Sequence, residues 1–239
     1  MLTEVKQVKS VFENSFQNTA AIIVAGGSSS RMKGLNKLFC EIRGIPVIAR
    51  TLIAYQACGS VGSITVAARE CDIPDIQRLC SQYEITKLTD IVAGGATRSQ
   101  SVRNAVNAAG NAYEYLAIAD GARPLIKPGT IDRVIDEAMR CGAAACAVKV
   151  TDTIKISDND GFIESTPARD TLWAAQTPQV FRTDLYTAAL SADGGNYTDD
   201  CALMEANGVN VKLVEGDYDN IKITTQTDLA IAEALLEEK

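Results

Sequence analysis

The chain of 239 residues carries 23 Lys and Arg against 30 Asp and Glu, a formal net charge of -7, and it contains no histidine. Without imidazole, His-activated serine or cysteine nucleophiles, His-ligated zinc and histidine general bases are excluded. The acidic balance argues against nucleic acid and anionic membranes as partners, because both require a basic patch. Chemistry must therefore use Lys, Arg, Asp, Thr or a metal ion, and small molecules are the expected ligands.

The seven cysteines are odd in number and form no C-x-x-C pair, so neither a disulfide framework nor a zinc site is predicted. We expect reduced, mostly buried thiols. The sequence shows no signal-peptide core, and no apolar run approaches the ~20 residues of a membrane span. These features predict a soluble, cytoplasmic protein.

Strand and helix patterns alternate from Ala20 onward, after an N-terminal extension over 1–19 with apolar residues at helical spacing. The run AAIIVA predicts a buried strand, IPVIARTLIAYQAC a helix with Pro46 near its start, and SITVAAR a second strand. Then VRNAVNAAG predicts a helix ending at Gly110, YLAIAD a strand, TIDRVIDEAMRCG a helix and AAACAVKV a strand. Further helices are expected over 183–192, 198–207 and 226–237.

This alternation predicts one Rossmann-like α/β domain over 20–239, with a mostly parallel sheet and helices on both faces. Ligands of such sheets bind in loops at the carboxyl ends of the strands. One segment departs from the pattern, because TDTIKIS and GFIESTP flank the turn sequence Asp158-Asn159-Asp160-Gly161 and predict a hairpin. A lone hairpin is marginal in water, so we expect a β-arm, over about 150–170, that packs against a second subunit.

The loop after the first strand reads AGGSSSRMKGLNK over residues 25–37. Glycines let the backbone approach phosphate oxygens, successive amides form an anion-binding concavity, and Arg31 with Lys37 can neutralise a triphosphate. The Walker pattern and the G-x-G-x-x-G fingerprint are both missing, which argues against a nicotinamide dehydrogenase. The alternative interpretation is a polar βα loop with incidental charges.

Seven motifs extend along the chain from this loop. They are A-G-G-x-x-x-R-M with N-K-L-F (25–39), G-G-x-x-R-x-x-S-V (94–102), D-G-A-R-P (120–124), D-T-I-K (152–155), Q-T-P-Q (176–179), T-D-D (198–200) and D-N-I-K (219–222). In this order they resemble the 2-C-methyl-D-erythritol 4-phosphate cytidylyltransferases of the non-mevalonate isoprenoid pathway, from about Ala20 to the end of the chain.

The resemblance implies that CMP is transferred from CTP to methylerythritol phosphate with release of pyrophosphate, and that Mg²⁺ or another divalent cation takes part. The attacking group is already a phosphate anion near pH 7, so a chain without histidine can do this without a general base. The enzyme must hold two anions in line and neutralise the charge that develops on the α-phosphate and the leaving pyrophosphate.

The resemblance also assigns roles to individual residues. Arg31 and Lys37 match the residues that stabilise the transition state, and Arg169 and Lys222 match those that grip the methylerythritol phosphate. Thr153 matches a substrate contact in the arm. Because the family's arm reaches into the neighbouring subunit, Thr153 and Arg169 are expected to complete the partner's site in a homodimer. For an Arg or Lys without this context, a surface ion pair is the more common role.

Asp120 ends the YLAIAD strand, where a carboxylate among phosphates indicates Mg²⁺ or a substrate hydroxyl. Asp219 is predicted to join it, and Mg²⁺ is expected to bridge nucleotide oxygens largely through waters. The structural alternative for either carboxylate is capping or pairing with a nearby arginine such as Arg123, which is itself placed among the substrate-binding residues.

For the base, the resemblance implies a pocket that reads cytosine and excludes purines by size and hydrogen bonding. Its expected members are Ala25, Gly26, Gly95 and Ser101, and Gly27 is placed more generally among the substrate-binding residues. The chain departs from the family where Ala96 replaces a frequent acidic residue, Ala119 a frequent His and Asn36 a frequent Pro.

Thr177 and Thr198 match hydroxyl positions on the substrate side. Thr198 is equally a candidate N-cap for a helix beginning at Asp199. Two rival functions stay open: a ribitol 5-phosphate cytidylyltransferase, which shares most motifs, and a nucleotide-binding module without catalysis, in which Ala96 and Ala119 would mark a decayed site. The N-K-L-F and D-N-I-K-I-T-T stretches favour methylerythritol phosphate, and the joint presence of the charged site residues argues against decay.

Overall fold

The computed structural model describes residues 17–27, 35–192 and 197–237. In chain order the strands are β1 (Thr19–Ala25), β2 (Glu41–Ile42), β3 (Ile45–Pro46), β4 (Val61–Ala68), β5 (Leu88–Ala93), β6 (Tyr115–Asp120), β7 (Ala143–Lys149), β8 (Ile156–Ser157), β9 (Ile163–Ser165), β10 (Trp173–Arg182) and β11 (Lys212–Glu215). The main sheet has the order β11-β7-β10-β6-β1-β4-β5. Its strand pairs are parallel except those of β10, which runs antiparallel to both β6 and β7.

Helices cover both faces of this sheet, as the alternating pattern predicts. They are α1 (Val47–Ala57), α2 (Ile73–Gln82), α3 (Arg98–Ala109), α4 (Pro128–Cys141), α5 (Thr183–Ala192), α6 (Asp200–Ala206) and α7 (Gln226–Glu237). Successive side chains of a strand point to opposite faces, so Ala21 and Ile23 of β1 join the core under α1, α2, α4 and α7, whereas Ala20 and Ile22 join the core under α3, α5 and α6. Burial on both sides explains why β1 reads as one continuous apolar run.

The predicted strands and helices as far as β7 form close to their expected bounds. The helices expected over 183–192 and 226–237 have those bounds in α5 and α7. The sequence pattern did not identify β5, α2, β10 or β11. For β10 the physical reason is visible, because Pro178 and the buried polar side chains of Gln176, Thr177 and Gln179 interrupt its apolar pattern, and its register against β7 shifts between Ala175 and Gln179.

The predicted hairpin is a separate antiparallel pair, in which Ile156 of β8 lies opposite Ser165 of β9. Asp158 holds its turn, since Oδ1 accepts hydrogen bonds from the backbone N–H groups of Asp160 (3.0 Å) and Phe162 (2.8 Å). Gly161 follows with a φ of +87°, a conformation that favours glycine. Phe162 is 73% exposed, so the hairpin offers apolar surface to solvent.

Cys58, Cys80, Cys146 and Cys201 are buried, Cys71 and Cys141 are exposed, and all seven cysteines are free thiols. Burial raises the pKa of Cys80 to about 11, which keeps this thiol protonated near neutral pH. No helix in the described part of the chain combines the length and apolarity needed to cross a bilayer.

Candidate functional site

A cleft of about 330 Å³ opens at the carboxyl ends of the parallel strands. β1 ends at Ala25, β6 ends at Asp120, and Gly95 follows β5, so three neighbouring loops meet there. The residues predicted from the sequence that line this cleft are Ala25, Gly26, Gly27, Lys37, Gly95, Ser101, Asp120 and Lys222. The motifs that lie far apart in the chain therefore line one cleft.

The first turn of α3 forms the side of the cleft predicted to hold the base. The backbone N–H of Gly95 donates to Oγ of Ser101 (3.0 Å), and the Ser101 hydroxyl donates to the carbonyl oxygen of Thr97 (2.9 Å). The N–H of Ala96 donates to Oε1 of Gln100 (3.1 Å). A β-carbon at Gly95 would lie 2.2 Å from Cγ of Gln100, so this close approach requires glycine.

Asp120 is a buried carboxylate with two cationic partners. Its Oδ2 lies 3.0 Å from Nζ of Lys222 and 3.3 Å from Nε of Arg123. Burial alone would raise the pKa of Asp120, but the charges of Lys222, Arg123 and Arg98 outweigh it and hold that pKa below its ordinary value. The carboxylate is therefore ionised near neutral pH.

Arg123 and Thr177 are buried beside Asp120. Arg123 contacts the carboxylate of Asp120, and Thr177 contacts its backbone. Arg123 is 8% exposed and its Nη1 donates to the carbonyl oxygen of Asn220 (2.7 Å). Thr177 is also buried, and its Oγ1 accepts from the N–H of Asp120 (3.1 Å). The Asn220 amide donates to the carbonyl oxygen of Thr177 (3.1 Å), so the loop that carries Lys222 is tied to β6 and β10.

Lys37 also lines the cleft, and hydrogen bonds anchor the residue before it, Asn36. Nδ2 of Asn36 donates to Oδ1 of Asp72 (3.1 Å), and Oδ1 of Asn36 accepts from the N–H of Leu38 (3.2 Å). Asp72 is in turn paired with Arg69 at 2.7 Å. These contacts fix the backbone on both sides of Lys37. Arg31 lies outside the described residues.

Besides Arg123 and Thr177, four predicted site residues do not line the cleft. In the arm, Nη2 of Arg169 donates to Oγ1 of Thr153 (2.9 Å), and both residues are exposed. Asp219 lies beside Lys127, with 3.9 Å between Oδ2 and Nζ. Thr198 is exposed.

Thr198 is not the N-cap of the helix that follows it. Asp199 takes that position, because its Oδ1 accepts from the N–H of Ala202 (3.0 Å), and α6 begins at Asp200. Aspartate is as good an N-cap as serine and better than threonine, which explains why the cap lies one residue later than expected.

Within the described residues, no group of three or more Cys, Asp or Glu side chains is arranged to hold a metal ion. Asp120 is the one carboxylate among the described residues of the cleft.

Arg98 is a cleft residue to which the sequence analysis gave no role. It lies in the G-G-x-x-R-x-x-S-V motif, and its place in that motif is the sequence feature that could have identified it as a site residue. Its Nη2 lies 2.6 Å from Oδ2 of Asp200. Burial would lower the pKa of Arg98, but the charge of Asp200 outweighs this effect and raises that pKa above its ordinary value.

Comparison with known proteins gives one family. The model of 2-C-methyl-D-erythritol 4-phosphate cytidylyltransferase matches residues 19–238. The proteins of that name from Trichormus variabilis and Bacillus licheniformis are 40% and 42% identical over 222 and 224 residues, which cover 91% and 92% of this chain and 97% and 96% of theirs. The crystal structure of 4-diphosphocytidyl-2C-methyl-D-erythritol synthase from Anaerococcus prevotii superposes with a TM-score of 0.82 at 31% identity, covering 92% of this chain and 99% of that one. The chain belongs to the 2-C-methyl-D-erythritol 4-phosphate cytidylyltransferase family.

Proposed function

We propose that the protein transfers CMP from CTP to 2-C-methyl-D-erythritol 4-phosphate, giving 4-diphosphocytidyl-2-C-methyl-D-erythritol and pyrophosphate. The observation that carries this proposal is the cleft, which combines a glycine-lined wall at Gly95 and Ser101 with the cations Lys37 and Lys222 around Asp120. The wall at Gly95 and Ser101 suits a flat, uncharged base, and the cations Lys37 and Lys222 suit phosphate groups. The membership of the family supplies the identity of the two substrates.

The nucleotide half of the reaction uses the side of Ala25–Gly27, Gly95 and Ser101. Backbone groups there recognise cytosine, and the larger purines are excluded by size and by their hydrogen-bond pattern. The polyphosphate then meets Lys37, and Arg31 is the second cation that the family's motif assigns to it. These cations neutralise the charge that develops on the α-phosphate and on the leaving pyrophosphate.

The acceptor half uses Lys222, together with Arg169 and Thr153 from the partner's arm and the hydroxyl of Thr198. A phosphate oxygen of methylerythritol phosphate forms the new bond to the α-phosphorus. The bond between the α-phosphorus and the bridging oxygen breaks, and pyrophosphate leaves with that electron pair. The enzyme contributes alignment of two anions and charge neutralisation, so no side chain has to remove a proton.

A divalent cation fits this cleft through Asp120. Both cationic partners of Asp120 contact Oδ2, so Oδ1 is the oxygen to offer to Mg²⁺, which prefers oxygen ligands and keeps several waters. Asp219 is a second candidate ligand. Mg²⁺ would neutralise charge on the nucleotide phosphates.

The homodimer is the second part of the proposal. The arm exposes Ile154 (40%), Ile156 (48%), Phe162 (73%) and Ile163 (63%), and a two-stranded hairpin with such a surface needs a partner to cover it. A second copy of this chain covers it most simply, since Arg169 and Thr153 lie on the same arm and outside their own cleft.

The test is an assay of pyrophosphate release. Purified protein with Mg²⁺ is incubated with each of the four nucleoside triphosphates and with either methylerythritol phosphate or ribitol 5-phosphate. Release with CTP and methylerythritol phosphate is expected. Preference for ribitol 5-phosphate would change the acceptor, and no release with any pair would contradict catalysis.

A further inference from the structure

The wall of the cleft that holds Gly95 and Ser101 also contains a positive charge, Arg98. The Arg98 side chain is 24% exposed and lines the cleft, while its partner Asp200 is 4% exposed. Asp200 also accepts from the hydroxyl of Tyr186, and Tyr186 is buried. The ion pair is thus held in one geometry, and its net charge is zero.

Three amide groups at this end of α3 are occupied as well. A helix N-terminus with unpaired N–H groups attracts anions, and a nearby arginine would strengthen that attraction. Here the N–H groups of Gly95, Ala96 and Gln100 donate to side chains of Ser101, Gln100 and Thr97. These three N–H groups are therefore bound within the protein and are not offered to a phosphate.

We propose that Asp200 is a specificity-determining residue that neutralises Arg98, so that the α3 end of the cleft accepts an uncharged base and the polyphosphate is directed to Lys37. This inference rests on the proposed function, because it concerns the direction in which CTP lies in that cleft. Without Asp200, the unpaired charge of Arg98 would form a second phosphate site, and CTP would also bind in a reversed, unproductive direction.

The probe for this second site is inorganic pyrophosphate, with binding measured by calorimetry. Asp200→Asn keeps the size of the side chain and removes its charge. We expect the variant to bind pyrophosphate about tenfold more tightly than the parent protein, which is the scale of one charge-assisted hydrogen bond. Pyrophosphate should also become a stronger inhibitor against CTP, and turnover should fall.

A purely structural role of Asp200 would lower stability without tightening anion binding, so a folded Asp200→Asn variant with unchanged or weaker pyrophosphate affinity overturns the proposal. The control is Asp184→Asn, which removes the partner of Arg182 in an exposed pair outside the cleft. This control should leave pyrophosphate affinity unchanged, which separates the local effect from the change in net charge.

The double variant Arg98→Met/Asp200→Asn keeps the test decisive if the single variant does not fold, because removal of a whole buried ion pair is often tolerated. We expect its pyrophosphate affinity to stay within about threefold of the parent protein. A loss of tenfold or more would mean that Arg98 itself anchors phosphate, and would overturn the proposal. Since binding is measured without acceptor or turnover, failure of the proposed function, seen as no pyrophosphate release, is a separate result.

Discussion

At the scale of a single residue, Asp120 makes the free energy of unfolding depend on pH. Its pKa is lowered in the folded protein, so its stabilising contribution is complete above the ordinary Asp value of about 4 and is lost as pH falls from there through the lowered pKa. Asp120→Asn should therefore show a shallower loss of unfolding free energy between about pH 5 and pH 2.

At pH 7, Asp120→Asn should cost about 3 kcal/mol, because it leaves buried Arg123 without a charge partner. Denaturant unfolding at several pH values measures both effects. The exposed Asp136→Asn is the control on α4 and should keep the acid dependence of the parent protein. An unchanged acid dependence in Asp120→Asn would contradict the electrostatic account.

Lys37 and Arg31 carry the proposed stabilisation of the leaving group. Lys37→Ala or Arg31→Ala should lower kcat by about 100-fold, the scale of one preorganised electrostatic donor. Circular dichroism should show an intact fold, and Lys212→Ala on the edge strand β11 is the control with normal turnover. Near-normal kcat in both variants would refute the assignment.

We expect Ala96 to determine how well the protein discriminates CTP from UTP. ATP and GTP should be poor substrates, because exclusion of purines by size does not depend on the side chain of residue 96. Ala96→Asp should raise the ratio of kcat/KM for CTP over UTP by about tenfold, since a carboxylate accepts from the exocyclic amine of cytosine and repels the corresponding oxygen of uracil. Ala96→Asn is the matched control with a smaller effect. Equal ratios in all three proteins would contradict this account.

At the scale of an element, two neighbouring residues at the start of α6 have different roles: Asp199 caps the helix, and Thr198 is proposed to contact substrate. Asp199→Ala removes the N-cap and should lower the unfolding free energy by about 1 kcal/mol. Thr198→Ala should leave stability unchanged and raise KM for methylerythritol phosphate, because exposed Thr198 is proposed to contact that substrate. Thermal unfolding and steady-state kinetics on both variants measure the difference. A stability loss in Thr198→Ala as large as in Asp199→Ala would contradict the cap observed here.

At the scale of the whole molecule, the arm is proposed to complete the cleft of a second subunit. If Arg169 completes the partner's cleft, chains with Arg169→Ala and chains with Lys37→Ala should each be nearly inactive alone and regain activity when mixed. In the mixed dimer one cleft carries both changes and the other carries neither, so about half of the activity of an unmodified dimer is expected per mixed dimer. Native mass spectrometry confirms subunit exchange. An inactive mixture after confirmed exchange would rule out the shared site.

Local periodicity in the sequence determined the elements whose environment is uniform along their length. β1, β4, β6 and β7 are buried on both faces and read as continuous apolar runs, and α4 places Ile131, Val134, Ile135 and Ala138 on one buried face. The loop glycines also determined where phosphate and base are expected, because close backbone approach demands residues without a side chain. The family resemblance, rather than periodicity, assigns Ala25, Gly26, Gly95 and Ser101 to the base.

Only the tertiary structure decided which distant residues pair. β10 enters the sheet between β6 and β7 in the antiparallel direction. Its buried polar side chains Gln176, Thr177 and Gln179 interrupt the apolar pattern expected of a strand, because their partners lie elsewhere in the chain. Arg98 and Asp200 are 102 positions apart, so no local pattern could show that one neutralises the other. Hydrophobic periodicity reports whether a side chain is buried, whereas the partner of a buried charge is fixed by the packing of the whole chain.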